Sequence, residues 1–379
     1  MFFQPEKWDC HKKEVNLQST RQITMRRLHL LLTGLALIIS LTMVRAQVQT
    51  SSADTHTFWL GADISGTTEL EARGWQLYNA AGEPRENTVL MKELGLNAIR
   101  LRVWVNPRDG FCSKEDVLTM ALRAQSLGMP VMIDFHYSDW WADPGKQPIP
   151  KAWEGMSLKQ MRKALARHTR ETLQLLKKHH IDVRWIQIGN ETTNGMLWET
   201  GRAETNMRGY ALLTKSGYEA AKRVYPNAQC IIHLDAGCDI NRYHFILNGL
   251  RENGTTWDMI GISVYPYWDM QAGLTTSSEE TLRKVTDNVK RLATEYSTEV
   301  MVVETGVEAK KPEEGKRFMS ALLRAMRYDT DGHCHGVFYW APEAEGHYPL
   351  GAFDNHRPTV IMEAFGEMKT DNRRYEENH

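Results

Sequence analysis

The chain predicts a (β/α)8 barrel, and three observations carry that prediction. Eight short apolar runs of strand character alternate with eight helical segments over about 310 residues, and strands separated by helices pair in parallel. No Gly-x-Gly-x-x-Gly or phosphate loop follows the first run, where Leu60-Gly-Ala-Asp-Ile-Ser-Gly66 lacks the spacing an open dinucleotide-binding sheet uses. The longest irregular connections, 63–86, 136–157, 191–203 and 265–278, all follow strands. They therefore gather at the carboxyl face, where barrel enzymes keep their sites.

Phe58–Asp63 opens the series as a strand, and Glu86–Leu94 is a helix closed by Gly95. Ala98–Trp104 is a strand, followed by a helix at Lys114–Leu127 that ends at Gly128. Pro130–Phe135 is the third strand. Leu158–Lys178 is a long helix with Leu158, Met161, Leu165 and Leu176 on one face. Val183–Glu191 is a strand with Ile186 and Ile188 on one side and Trp185, Gln187 and Glu191 on the other. The helix Glu204–Val224 stops at Tyr225-Pro226-Asn227. Strands at Gln229–Leu234, Met259–Val264, Val300–Glu304 and Gly336–Trp340 then alternate with helices at Tyr243–Arg251, Glu279–Tyr296, Glu313–Met326 and Val360–Glu367.

The 379 residues are 42% apolar and 25% charged, enough for a full core. A net charge of −1 supplies no basic field for nucleic acid and no acidic tail. Arg26-Arg27, the apolar run Leu28 to Val44 and the exit Val44-Arg45-Ala46-Gln47 form a secretory signal pattern. The run is short for a membrane anchor and contains His29, Thr33 and Ser40. Met25-Arg-Arg is a more natural start than the patternless lead before it. The expected organisation is a lead and signal at 1–46, a polar lead-in at 47–57, a catalytic barrel at 58–368 and a polar tail at 369–379. The mature protein is expected to be exported, monomeric and not inserted in a membrane. Cys112, Cys230, Cys238 and Cys334 form no C-x-x-C pair, which argues against a zinc knuckle. Export permits disulfides, but buried free thiols are the favoured reading.

Two strands each end on a glutamate: Val183-Arg-Trp-Ile-Gln-Ile-Gly-Asn-Glu191 and Val300-Met-Val-Val-Glu304. Alone, either could be a strand running out into a solvated loop. Together they are what a two-carboxylate hydrolase in a barrel needs. The other strand exits offer Arg100 and Arg102, then Asp134, His136, Asp139, Trp140 and Trp141, then Asn190, His233 with Asp235, Tyr265 with Tyr267 and Trp268, and Trp340. Polar groups interleaved with aromatics suit a carbohydrate cleft, where hydroxyls need fixed partners and sugar faces need flat platforms. Duller roles are open for several of these residues. Arg100 and Arg102 could simply neutralise barrel carboxylates, His136 could be a core histidine, and Tyr267 and Trp268 could be loop packing. His179-His180 ends a helix, where a cation suits the dipole. His333-x-His335 opens the eighth strand, at the end away from the other candidates, which makes a metal pair there a poor reading.

The stretch Asp134-Phe-His-Tyr-Ser-Asp-Trp-Trp-Ala-Asp-Pro-Gly-Lys-Gln147, with Gln187-Ile-Gly-Asn-Glu191 and Tyr265-Pro-Tyr-Trp268, closely resembles the endo-β-1,4-galactanases of glycoside hydrolase family 53. The likeness covers most of 58–368. It implies a retaining hydrolase of β-1,4-galactan, the side chains of pectin, with Glu191 as acid/base, Glu304 as nucleophile and Arg100 as the clan's strand-two arginine. Substrate contacts are expected from Arg100, His136, Asp139, Trp140, Asn190, His233, Tyr265 and Trp340. Two departures stand out. The calcium loop of several members is replaced by Thr305-Gly-Val-Glu-Ala-Lys-Lys-Pro312, so no metal or other cofactor is expected. The usual Tyr-Trp-Glu-Pro is Tyr339-Trp340-Ala341-Pro342.

The expected mechanism is double displacement. Glu191 protonates the leaving oxygen, Glu304 attacks the anomeric carbon, and Glu191 then activates water. Asn190 is expected on the sugar 2-hydroxyl and Trp340 under the sugar ring being cleaved, with Trp140, Trp141 and Trp198 at flanking subsites. The rivals are a clan relative acting on another β-linked polymer, a non-catalytic galactan-binding barrel and, more distantly, a metal-dependent hydrolase.

Overall fold

Eight parallel strands close on one another in the computed structural model, which describes residues 57–378, with side chains through residue 371. The signal at 1–46 and the lead-in at 47–56 lie outside the described residues. The barrel strands are β1 (Trp59–Asp63), β2 (Ala98–Val103), β3 (Val131–Phe135), β4 (Val183–Ile188), β5 (Gln229–Leu234), β6 (Met259–Val264), β7 (Glu299–Thr305) and β8 (Cys334–Trp340). Each pairs with its neighbours in chain order, and β1 closes the ring against both β8 and β2.

The helices between them are α1 (Asn87–Glu93), α2 (Lys114–Ser126), α3 (Leu158–Lys178), α4 (Ala203–Val224), α5 (Ile240–Glu252), α6 (Ser278–Tyr296) and α7 (Pro312–Tyr328), with α8 (Glu363–Asn378) last. Their starts are written in the sequence. Ser113, Ser157 and Ser277 each accept a backbone N–H of the first turn, and Ser157 with Gln160 completes a capping box. The final helix runs past the expected Glu367 to Asn378, taking in residues expected to form a polar tail.

The strand alternation sorts two cores. Ile186 and Ile188 face the helices, together with Val300, Val302, Val337 and Tyr339. Ala98, Met132, Trp185, Ile231, Met259, Met301, Val303 and Phe338 fill the barrel's lower interior. Gly61 makes room there, since a Cβ at that position would lie 2.2 Å from the Phe338 ring. Above this apolar layer the inward positions turn polar: Asp63, Arg100, Asp134, Gln187, His233, Ser263 and Glu304 are all buried.

One irregularity sets the height of a key residue. Ile262 pairs with Val302, but Ser263 pairs with Glu304, so Val303 is an extra residue in β7. Strict alternation would send Glu304 outward with Val300 and Val302. The bulge at Val303 turns it inward, level with Ser263, a re-aiming that bulges commonly perform beside active sites.

Five connections carry structure of their own, including a 3-10 turn (Lys151–Trp153) between β3 and α3 and a hairpin (Gly195–Met196 with Gly201–Arg202) between β4 and α4. The β1–α1 segment holds a short helix (Thr67–Ala72) and a hairpin (Leu77–Tyr78 with Pro84–Arg85). The β6–α6 segment holds a helix at Pro266–Gln271. A third hairpin, Phe353–Asp354 with Arg357–Pro358, lies between β8 and α8, in a connection as long as those noted from sequence.

Cys112, Cys230, Cys238 and Cys334 are buried free thiols. Among the described residues no helix is long and apolar enough to cross a membrane.

Candidate active site

A cleft of about 720 Å³ opens at the carboxyl ends of the strands. Glu191, Glu304, Asn190, Tyr265 and Trp340 line it, joined by Trp141, Tyr348, Asp235, Arg242 and Trp268. One oxygen of Glu191 and one of Glu304 lie within 4.8 Å of each other.

Arg100 organises the floor. It is fully buried, and a buried guanidinium is costly unless its charge and all its N–H groups are met. Its Nη1 lies 2.7 Å from Asp63, and its Nη2 lies 2.9 Å from Asp134 and 2.8 Å from Glu304 Oε1. The same Nη2 donates to Asn190 Oδ1 at 2.9 Å, while Nε donates to Gln187 Oε1 at 3.3 Å. The charge-neutralising role open to both arginines is thus met by Arg100. Among the described residues Arg102 makes no ion pair; it lies between two rings, 4.6 Å from Trp104 and 4.0 Å from Trp141.

Glu304 also accepts the Tyr265 hydroxyl at 3.1 Å. Glu191 is placed differently. Strand β4 ends at Ile188, and the chain turns through Gly189 at φ 91° and Glu191 at φ 45°. Such angles are uncommon for a non-glycine residue. At Gly189 a Cβ would lie 2.5 Å from Thr192. Gln147 braces the turn by donating to the Asn190 carbonyl at 2.9 Å. Among the described residues the Glu191 side chain takes one hydrogen bond, from Ser263 Oγ to Oε1 at 2.7 Å.

These surroundings separate the two carboxyls. Burial, the Glu304 charge and Asp235 push Glu191 well above the ordinary carboxylate range, with Ser263 and Arg100 opposing weakly. Burial pushes Glu304 up to about 7 against the pull of Arg100 and Tyr265. Two close, buried carboxyls do not both ionise readily, so the pair favours sharing one proton, held by Glu191, the partner with fewer donors. Burial lowers His136, and burial with Arg100 lowers His233 well below the usual histidine range, so both rings are neutral.

The remaining expected residues fall at different depths. His233 lies directly beneath the pair, its Nδ1 3.2 Å from the Glu191 backbone N–H and 2.8 Å from Gln187 Nε2, and its Nε2 2.8 Å from Ser263. His136 is one step further out, donating from Nε2 to Asp134 at 3.0 Å and accepting the Ala142 N–H at 3.2 Å. Asn190 donates to the Ala142 carbonyl at 2.9 Å. Trp340 packs near Trp141 and Tyr348, with ring centroids 5.7 and 4.7 Å away. Of the expected substrate contacts, Arg100, His136, His233, Asp139 and Trp140 are not among the cleft-lining residues, the first three being buried below the cleft. Asp139 ties two loops together by accepting the Asn106 and Lys151 N–H groups at 3.0 and 2.8 Å, and Trp140, half exposed, packs at a tilt against Trp104. Trp198 is held by Arg202, 3.9 Å from its ring centre.

Asp63, Ser263, Arg242 and Tyr348 were not singled out from sequence. Asp63 and Ser263 share inward parity with their strands' other interior residues, so alternation could have found them. Asp134 stood in a quoted motif without a role. Tyr348 lies in an irregular connection with no periodicity to mark it.

The family model "Glycosyl hydrolase family 53" matches residues 59–356. A Bacillus subtilis endo-β-1,4-galactanase is 33% identical over 65% of this chain and 56% of its own. A probable arabinogalactan endo-β-1,4-galactanase A of Aspergillus fumigatus is 32% identical over 80% of this chain and 88% of its own. A solved fungal β-1,4-galactanase superposes with a TM-score of 0.74 at 27% identity, covering 81% of this chain and 98% of that one. The catalytic domain of an Ignisphaera aggregans member of the same family gives 0.73 at 29% identity, covering 81% and 95%. A Thermotoga maritima xylanase, at 15% identity and a TM-score of 0.56 over 85% of this chain and 98% of its own, shares the fold. With the family model spanning the barrel, the chain belongs to glycosyl hydrolase family 53.

Proposed function

We propose that this chain hydrolyses β-1,4-galactosidic bonds in galactan or arabinogalactan, the side chains of pectin, by double displacement with retention at the anomeric carbon. The named relatives support the substrate. The observation that carries the mechanism is the pair of close carboxyls in unlike surroundings. Oxygens within 4.8 Å fit the short spacing of about 5–5.5 Å between carboxyl groups in retaining enzymes, rather than the wider gap that admits a water.

Glu304, facing the Arg100 guanidinium and the Tyr265 hydroxyl, is the nucleophile. Glu191, with its proton and a single hydroxyl partner, is the acid that protonates the leaving oxygen. After the galactosyl-enzyme forms, Glu191 is the base that takes a proton from water. The singly protonated pair is the active form. Activity rises as Glu304 ionises and falls as Glu191 does, and burial places both limbs above the ordinary carboxyl range. Trp340 provides the platform for the sugar being cleaved. The Arg26 to Ala46 segment supports export.

The test is digestion of purified β-1,4-galactan followed by proton NMR of the first product. The expected anomer is β, and an initial α product overturns retention. Glu304→Ala should leave the fold intact and abolish release of reducing sugar; near-normal turnover would remove the assignment.

A further inference from the structure

Beneath the cleft, a chain of hydrogen bonds decides which oxygen of Glu191 can hold a proton. Gln187 Nε2 lies 2.6 Å from the Asp134 carboxylate, and its Oε1 faces the Arg100 guanidinium, so the amide orientation is set. That nitrogen and the Glu191 backbone N–H are both donors, and both point at His233 Nδ1, at 2.8 and 3.2 Å. Asn190 Oδ1, 3.1 Å from Nδ1, has a lone pair left beside the one that accepts from Arg100 at 2.9 Å, but a hydrogen on Nδ1 would meet the hydrogens of both donors. Two donors aimed at one ring nitrogen require it to be the acceptor, so the imidazole proton sits on Nε2.

The consequence passes outward. His233 Nε2–H donates to Ser263 Oγ at 2.8 Å, so the Ser263 hydroxyl cannot donate back to the ring. Its one remaining partner is Glu191 Oε1, at 2.7 Å. Oε1 is then an acceptor whether Glu191 is charged or neutral. We propose that Ser263, oriented by His233 and Gln187, is a positioning residue that reserves Oε1 of Glu191 as acceptor and confines the transferable proton to Oε2. This rests on Glu191 being the acid/base. Over the cycle Oε2 loses its proton to the leaving oxygen and regains one from water, while the Ser263 bond stays in place and strengthens as the carboxylate forms.

Ser263→Ala removes a donor that stabilises the carboxylate, so it makes proton donation harder. Glu304, Asp235, Arg100, Tyr243, Tyr265 and Tyr348 also face Glu191 and are unchanged by the substitution. The expected result is an alkaline limb of kcat/KM moved to higher pH. A loss of about tenfold or more on galactan is expected, with a much smaller loss on a dinitrophenyl β-galactobioside, whose leaving group needs no acid. Ser263→Thr, which restores a hydroxyl, should return the limb. Equal losses on the two substrates with an unmoved limb would overturn the proposal. In the unmodified enzyme, nitrogen-15 shifts should show His233 neutral with the proton on Nε2 over an interval from about pH 7 to 9, above its free value. A proton on Nδ1 in that interval would overturn it without any variant. Glu191→Ala tests the underlying reading separately. Retained activity on the dinitrophenyl substrate with added azide supports Glu191 as acid/base, and unimpaired galactan cleavage by that variant removes both readings.

Discussion

Arg100 holds three carboxylates within 2.9 Å and has no exposed surface. Opposing the burial that would raise it, Arg100 and then His136 hold Asp134 down at about 2. An Asp lowered from 3.8 contributes stability that is fully present above its unfolded value and is lost as pH falls through about 2. Replacing Arg100 by methionine keeps much of the volume but strands Asp63, Asp134 and Glu304 together. The expected cost is on the order of 3–5 kcal/mol, read by urea denaturation at neutral pH. Any folded fraction should also show its acid limb of activity moved upward, because Glu304 loses the cation that favours its ionised form. A variant as stable as the parent would show that the carboxylates were compensated elsewhere.

At the scale of elements, alternation in β1 to β6 delivers most of the interior correctly. Trp185 and Gln187 face inward, Ile186 and Ile188 outward, and Arg100 rises from the same face as Ala98. Strand β7 is where that rule fails. Read strictly, Val300-Met-Val-Val-Glu304 places the glutamate with the outward valines, and no glycine or proline marks the bulge that turns it back. Its exposure of a carboxylate was legible; its direction depended on pairing with β6, which only the closed sheet supplies. The β8–α8 connection was harder still, because neither Tyr348 nor Glu343 belongs to a periodic run. Glu343 is nonetheless buried beside Asn87, Asp63 and Arg102, and burial pushes its carboxyl up to about 8. The unfolded chain releases that proton near 4.5. Its penalty on folding is therefore absent below about 4.5, accumulates as pH rises and is complete above about 8. Glu343→Gln should leave the melting temperature nearly unchanged at pH about 4 and raise it by several degrees near pH 8. The same shift at both pH values would mean that the carboxyl is not the cause.

Across the whole molecule, charge is balanced overall and unbalanced within. The sequence carries 46 basic and 47 acidic side chains, so no long-range field draws a charged partner to it. The barrel mouth differs: Arg100 faces the carboxylates of Asp63, Asp134 and Glu304, Arg242 is paired with Asp235, Arg102 lies against Trp141, and His136 and His233 are neutral. Closure of the ring imposes this, because strands far apart in sequence must each send an upper-layer side chain to the same axis. The mouth thus carries a net negative charge. A glycosyl group crossing the barrier becomes cation-like for an instant and offsets that charge. Inhibitors should report that charge directly. A protonated galactose-shaped imine sugar is expected to bind at least about tenfold more tightly than its uncharged lactam of the same outline, the kind of margin that distinguishes transition-state from ground-state recognition. Matched inhibition constants for the two would mean that the surplus charge is spent on holding the barrel closed.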